Sequence, residues 1–220
     1  MSVVPVTVLV VAKAPVPGWA KTRLAATVGD RVAAEIAAAA LLDTLDAVTA
    51  APFAARVVAF TGELDAAVDA DEIRSRLTSF TVIPQRGNTF ADRLANAHVD
   101  AADGYPVLQI GMDTPQVTAE LLVDCGRRLC ESPAVLGFAR DGGWWALGVR
   151  TPESADCLRA VPMSQPDTGL LTLKALNSSG IEASLLQELA DFDVADDVAA
   201  VREICRASSR FAQAARAAGL

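Results

Sequence analysis

Aromatic residues are scarce in this chain, at 5% of 220 residues, and there is one histidine, His98. With that single histidine and four cysteines (Cys125, Cys130, Cys157 and Cys205) forming no CxxC pair, a zinc site of ordinary ligand spacing is not expected. Free thiols in a reducing cytosol are the simplest reading, so a cytoplasmic location is expected. Basic charge is also short: 19 Lys+Arg face 27 Asp+Glu, for a net charge of −8 and a pI near 4.7. That balance argues against a general nucleic-acid binder, whose backbone contacts need a basic field, and against an anionic membrane surface as partner. No apolar stretch of about 20 residues exists, so no membrane span is expected. The apolar opening lacks a basic flank and a small-residue cleavage site, and reads as a buried strand rather than a signal peptide. Without repeats, low-complexity linkers or charge runs, one domain over residues 1–220 is expected.

What is present is apolar mass, 52% of the chain, much of it in 43 alanines that pack on helices with little core volume each. Charged residues make up 21%, which excludes intrinsic disorder as a class. The charge is uneven. Residues 1–29 hold Lys13, Lys21 and Arg23 and no Asp or Glu, so a local anion site is expected on an otherwise acidic chain.

Apolar runs predict strands at Val6–Ala12, Arg56–Phe60, Phe80–Ile83, Pro106–Ile110, Ala134–Phe138, Trp144–Val149 and Glu182–Leu186. Helical spacing predicts helices over Asp30–Val48, Glu63–Leu77, Asn88–Ala101, Gln116–Glu131, Asp167–Ser178, 195–206 and 208–218. The alternation indicates an α/β sandwich with a mainly parallel sheet, and the Asp141–Gly143 turn allows one antiparallel hairpin. Sites in such folds lie in the crevice at the carboxyl ends of the strands.

Four motifs fall there. The first, Lys13-Ala-Pro15-Val-Pro-Gly18-Trp-Ala-Lys21-Thr22-Arg23-Leu24, follows the first strand. Prolines stiffen it, Gly18 lets backbone approach a ligand, and Lys21 and Arg23 supply cationic donors suited to a diphosphate or triphosphate. It is not a Walker loop, because Ala20 stands where that motif needs glycine. A solvated basic loop is the bland reading. The second, Gly111-Met-Asp113-Thr-Pro115, puts a carboxylate at a strand end, where it can hold a divalent cation or simply cap the next helix. The third, Asp141-Gly142-Gly143-Trp144-Trp145-Ala-Leu-Gly148, makes a tight turn and then alternates two tryptophans between core and cleft. The fourth, Asp191-Phe-Asp193-Val-Ala-Asp196-Asp197, sets two carboxylates on one side of an extended segment, where they can grip a metal; Asp193 is equally placed to cap the helix that follows. Gln85–Thr89 reads as a turn and helix cap, and His98 as a packed histidine. Ser164 and the cysteines have no base partner, which disfavours nucleophilic triad chemistry.

These motifs, in order, resemble one bacterial family in the glycosyltransferase-A-like nucleotide-diphospho-sugar transferase superfamily. The Lys-Thr-Arg-Leu loop also resembles that of phospholactate or phosphoenolpyruvate guanylyltransferases. The resemblance runs from Val6 to Val198. It implies a three-layer Rossmann-like sandwich with a mixed, mainly parallel sheet, and a nucleotide or nucleotide sugar lying over the first loop. Lys13, Pro15, Gly18, Lys21, Thr22 and Arg23 match the phosphate-binding positions. Mg²⁺ or Mn²⁺ is implied on Asp113, Asp191 and Asp193. Catalytic roles fall to Asp113, Asp141 and Lys21, with Gly142, Gly143 and Trp144 meeting a small-molecule acceptor. Family members commonly carry Tyr at the place of Trp144, Ser or Thr at Val194, and Trp-Ser at Met163-Ser164.

The expected activity is a metal-dependent transferase with a nucleotide-sugar donor. Nucleotidyl transfer to a small phosphorylated acceptor is the alternative, and a non-catalytic nucleotide binder is the second.

Overall fold

The computed structural model describes residues 2–220. Its centre is β1 (Val4–Lys13), a β-branched run with Val6, Val8 and Val10 buried on one face and Thr7 and Leu9 on the other. A strand covered on both faces shows such a continuous apolar run instead of alternation. On one side of β1 lie β2 (Phe53–Thr61) and β3 (Thr81–Pro84); on the other lie β4 (Val107–Gly111), β6 (Trp144–Val149), β5 (Ala134–Phe138) and β7 (Ala183–Leu185). The sheet order is β3-β2-β1-β4-β6-β5-β7, and β6 alone runs against the rest. The mixed, mainly parallel sheet and its single hairpin, β5–β6, thus follow the sequence pattern.

Helices cover both faces. α2 (Asp30–Ala50), α3 (Ala70–Leu77) and α5 (Ala119–Glu131) pack on the face of Val6, Val8 and Val10. α4 (Phe90–Asp100), the 3₁₀ segment Pro152–Ala160 and α6 (Thr168–Ser178) cover the other. α1 (Thr22–Val28), α7 (Ala195–Ile204) and α8 (Arg210–Ala217) build a further small core against the outer side of α2 around Leu24, Ile36, Phe192 and Phe211. α2 is therefore sandwiched, and its alanines let neighbours approach from two sides. No helix among the described residues is long and apolar enough to cross a membrane.

Several elements differ from the sequence reading. The helix expected over Glu63–Leu77 is a 3₁₀ turn at Leu64–Ala66 followed by α3, interrupted where Val68 turns inward and its amide donates to Pro15 O at 3.0 Å. α1 was not expected, because Leu24 is its only buried side chain and leaves no periodicity to read. The 3₁₀ segment Pro152–Ala160 was not expected either. α5 starts at Ala119, capped by the Thr118 hydroxyl, so Asp113 does not cap it. α7 is capped by Asp197, whose Oδ2 accepts from the amides of Asp193 and Val194 at 3.0 and 3.1 Å. Asp193 is thereby free of the capping role considered for it.

His98 is fully buried in α4, and neither ring nitrogen has a hydrogen-bond partner among the described residues. Burial pushes its imidazole down to about 3. The unfolded chain takes up the proton near the ordinary value of 6.5 and the folded chain does not, so this group's contribution to stability is full above 6.5 and is lost as pH falls toward 3. Urea denaturation of a His98→Leu variant should show about 1 kcal/mol gained at pH 7 from removing unpaired polar atoms. It should also show about 3 kcal/mol less loss than wild type between pH 7 and pH 4. Identical pH slopes for the two proteins would contradict this.

Candidate active site

The crevice opens where β1 and β4 end, with β2 and β6 beside them. Two cavities lie there, of about 420 Å³ and about 350 Å³, and their walls share Lys13, Met112, Asp113 and Asp193. The smaller is the side of the basic loop, lined by Trp19, Lys21, Thr22 and Arg23. The larger runs over β4 to the hairpin and is lined by Asp141, Gly143, Trp144, Asp191, Arg93 and Gln109 among others.

The loop after β1 is tied down on both sides. The Ala14 amide donates to Thr61 O at 2.8 Å, and Val16 O accepts from the amides of Trp19 and Ala20. Gly18 has φ +79, a conformation that side chains other than glycine rarely take. Pro15 is buried, and neither it nor Gly18 lines a cavity, so both shape the loop. Lys13 reaches back to Trp19 O and sits 5.9 Å from the Trp19 ring centroid.

Lys21 departs from the picture of a free phosphate-binding cation. Its backbone is left-handed at φ 50, ψ 48, and its side chain is 9% exposed. The ammonium lies 3.0 Å from Asp113 Oδ1 and 3.1 Å from Asp193 Oδ1. It also donates to Phe192 O and stands 4.3 Å from the Phe192 ring centroid. Burial pulls its pKa down, but the charges of Asp113 and then Asp193 outweigh that and hold it above the ordinary lysine value. Arg23, largely exposed, pairs with the other oxygen of Asp193 at 3.1 Å.

The fourth motif reaches the crevice by alternation. Phe192 is buried against Phe211, ring centroids 4.8 Å apart, while Asp191 and Asp193 on either side line the larger cavity. The segment is guided there by β5: the Leu189 amide donates to Phe138 O, and the Arg140 amide to Leu189 O. Asp191 is pushed up to about 6, chiefly by burial and then by the charge of Asp141, with Asp113 adding to the push; its backbone amide and Lys21 pull the other way.

In the third motif Asp141 Oδ1 accepts from the Gly143 amide at 2.7 Å. Trp145 is buried with its indole N–H on Gln187 O at 2.9 Å, while half-buried Trp144 faces the cavity. Gly142 stands apart from the other acceptor-side residues: it lines neither cavity and packs its backbone on Pro166.

Among the described residues, no three His, Cys, Asp or Glu side chains form a ready-made metal cage. Asp113 and Asp193 both converge on Lys21. Asp191 is buried beside the charges of Asp141 and Asp113, and a hard cation with oxygen ligands would favour its ionised form. The donor set suits an ion held by one or two carboxylates and completed by phosphate oxygens, as Mg²⁺ usually is.

Sequence reasoning missed Arg93 and Gln109 on the wall of the larger cavity, where Met163 and Ser164 also lie. Arg93 and Gln109 were hidden inside a helix and a strand. Thr89 does cap α4, in a reciprocal pairing with Asp92, and Gln85 ties the ends of β1 and β2 through Ala12 O and Ala59 O.

Residues 44–165 match a family described as an uncharacterized protein conserved in bacteria (DUF2064). The chain belongs to this family. No curated protein sequence matches it. Among solved structures, a protein named as a candidate nucleotide-diphospho-sugar transferase from Desulfovibrio desulfuricans G20 is 23% identical, with a TM-score of 0.84 over 97% of this chain and 94% of that one. CMP:2-keto-3-deoxy-manno-octonic acid synthetase, solved with CTP, is 11% identical, with a TM-score of 0.57 over 90% of this chain and 97% of that one. Rv0371C from Mycobacterium tuberculosis H37Rv, solved as a complex with manganese, is 19% identical, with a TM-score of 0.56 over 90% and 97% of the two chains. This member of the bacterial family thus has the Rossmann-like fold of nucleotide-diphospho-sugar transferases, as the sequence motifs implied.

Proposed function

We propose that this chain is a transferase that takes a nucleotide-sugar donor on the basic loop and passes the sugar to a small acceptor in the larger cavity. The observation that carries this reading is the meeting of the two cavities at Asp113 and Asp193, with cations on one side and carboxylates on the other. Lys13 and Arg23 are exposed enough to bind the donor's phosphates, and Thr22 adds a hydroxyl. Lys21 holds the two aspartates at a fixed separation and lends its charge to the same spot. Asp113, Asp191 and Asp193 would hold Mg²⁺ or Mn²⁺, which when bound neutralises charge on the leaving diphosphate.

The acceptor hydroxyl attacks the anomeric carbon, the nucleoside diphosphate departs with the bonding pair, and the hydroxyl proton has to go to a base. Asp141 and Asp191 face the cavity, and no Lys or Arg among the described residues forms an ion pair with either. Asp141, held by the Gly143 amide, is the group we assign to that proton. A phosphate acceptor, already ionised, needs no such base, so these two carboxylates favour glycosyl over nucleotidyl transfer. The concentration of Lys13, Lys21 and Arg23 on one wall favours the second reading, attack on the α-phosphate of a triphosphate with release of pyrophosphate. A synthetase of the same fold was solved with such a triphosphate, CTP.

Product analysis separates the two readings: a nucleoside diphosphate released from a nucleotide sugar, against pyrophosphate released from a triphosphate and a phosphorylated acid. Asp113→Ala should abolish Mn²⁺-dependent nucleotide binding in calorimetry and shift the melting midpoint little, because Asp113 is 43% exposed. Unchanged affinity would remove Asp113 from the metal site.

A further inference from the structure

Arg93 is a half-buried arginine of the larger cavity whose side chain makes no ion pair or hydrogen bond among the described residues. Its Nε is shielded from solvent and has no hydrogen-bond partner among the described residues. Its guanidinium carbon stands 5.6 Å from the Phe90 ring centroid, and both side chains line the cavity. The acids of its own helix are taken: Asp92 by Thr89 and Arg159, Asp100 by Arg86. Arg56 and Arg150, which also lack acids, spend their donors on backbone carbonyls of Val48, Ala51 and Cys130. Arg93 has no such outlet. A guanidinium N–H shielded from water without an acceptor is a costly arrangement, and the natural partner of the group is an oxyanion bound in a fork.

Two further features of the same wall are unspent. Gln109 on β4 is 2% exposed, and its Oε1 has no partner among the described residues. Ser164 holds a left-handed backbone, φ 59, at the cavity rim. Strained non-glycine residues persist where the surroundings over-determine them, often at ligand sites. Arg93, Gln109 and Ser164 line only the larger cavity, whereas Lys21 and Arg23 line only the smaller one. Any anion that Arg93 takes is therefore separate from the phosphates met by the basic loop.

We infer that Arg93 anchors the acceptor, and that the acceptor is a small hydroxylated acid whose carboxylate or phosphate docks on the guanidinium while a hydroxyl meets the Gln109 amide. This rests on the transferase reading for the word acceptor, while the binding chemistry stands on Arg93 alone.

The test uses three matched three-carbon probes on the full chain: glycerate, glycerol 3-phosphate and glycerol, titrated by ligand-observed NMR, with CTP and Mg²⁺ titrated separately. Wild type should bind at least one charged probe about tenfold tighter than glycerol. Whichever charged probe leads tells carboxylate from phosphate. Arg93→Gln should reduce that preference to below about twofold and leave CTP affinity within about twofold, and Arg93→Lys should restore part of it. Wild type without preference for charge, Arg93→Gln with the preference intact, or equal loss of CTP would each overturn the assignment. If the preference depends on Arg93 while neither CTP nor any nucleotide sugar binds, the anion site stands and the transferase reading falls. If nucleotides bind and the preference ignores Arg93, the reverse holds.

Discussion

Replacing Lys21 with methionine is expected to damage both stability and ligand binding, and to make the melting midpoint more responsive to divalent metal. Among the described residues the ammonium is the one cation that lies on both Asp113 and Asp193. Removing it leaves two facing carboxylates, one of them still paired with Arg23. Breaking a fully buried pair costs about 3–5 kcal/mol, but these carboxylates are 43% and 46% exposed, so water recovers part of the loss. About 2 kcal/mol is the expected cost, or about 4–8 °C in melting midpoint for a chain of this size. Mn²⁺ should raise the midpoint of the variant more than that of wild type, because it supplies the missing counter-charge. CTP affinity should fall by at least about tenfold and cytidine affinity should hardly move, since the lost charge serves phosphate and not base. Equal losses for nucleotide and nucleoside would mean that Lys21 only supports the fold.

Gly142→Ala is expected to be more destructive than its position in an exposed turn implies. Gly142 has φ +91, and an added Cβ would lie 1.8 Å from Pro166 O and 2.5 Å from the Pro166 carbonyl carbon. Its own carbonyl accepts from the Gly169 amide at 2.8 Å, so the turn is pinned to the start of α6 from both directions. Backbone strain of about 1–3 kcal/mol and overpacking of a similar size combine to about 4 kcal/mol. Urea denaturation should show the midpoint falling with little change in slope. Gly143→Ala is the control. There the added carbon meets only the Asp141 carboxyl group, its nearest atom Oδ1 at 2.9 Å, and that side chain can swing aside. Gly143→Ala should therefore keep most of its stability and lose transfer activity, because it displaces the carboxylate assigned to the acceptor proton. Similar midpoints for the two alanine variants would contradict the close packing against Pro166.

Some of this architecture could be read from residues alone and some could not. β1, β4, β5 and β6 were legible because strands buried on both faces show as unbroken apolar runs. α1 left no such trace, with one buried side chain in seven residues. α2 showed a single apolar face in the sequence. The structure divides that face between two cores, with Val32, Ile36 and Ala40 joined by Ala33 in the outer one and Leu41, Leu45 and Val48 on the sheet, a split that periodicity alone does not show. Asp191 and Asp193 were legible as a same-side pair because the period of an extended segment is two. That Phe192 between them anchors the segment in a core 19 residues away along the chain, at Phe211, was not. Arg93 was invisible for another reason: one charge in an amphipathic helix looks like solvated surface until a cavity is found beside it.

The order of residues dictates which chemical groups exist and which strand ends carry them: an acid-free basic loop after β1, an aspartate after β4, a glycine turn after β5 and an aspartate pair before α7. Folding then brings Lys21 to Asp193, 172 residues away, and lets it share its ammonium with Asp113. Local pattern sets periodicity within a few residues. Which charges come within ion-pair range is set by parallel crossovers that bring the carboxyl ends of distant strands side by side, and no short window of sequence records that.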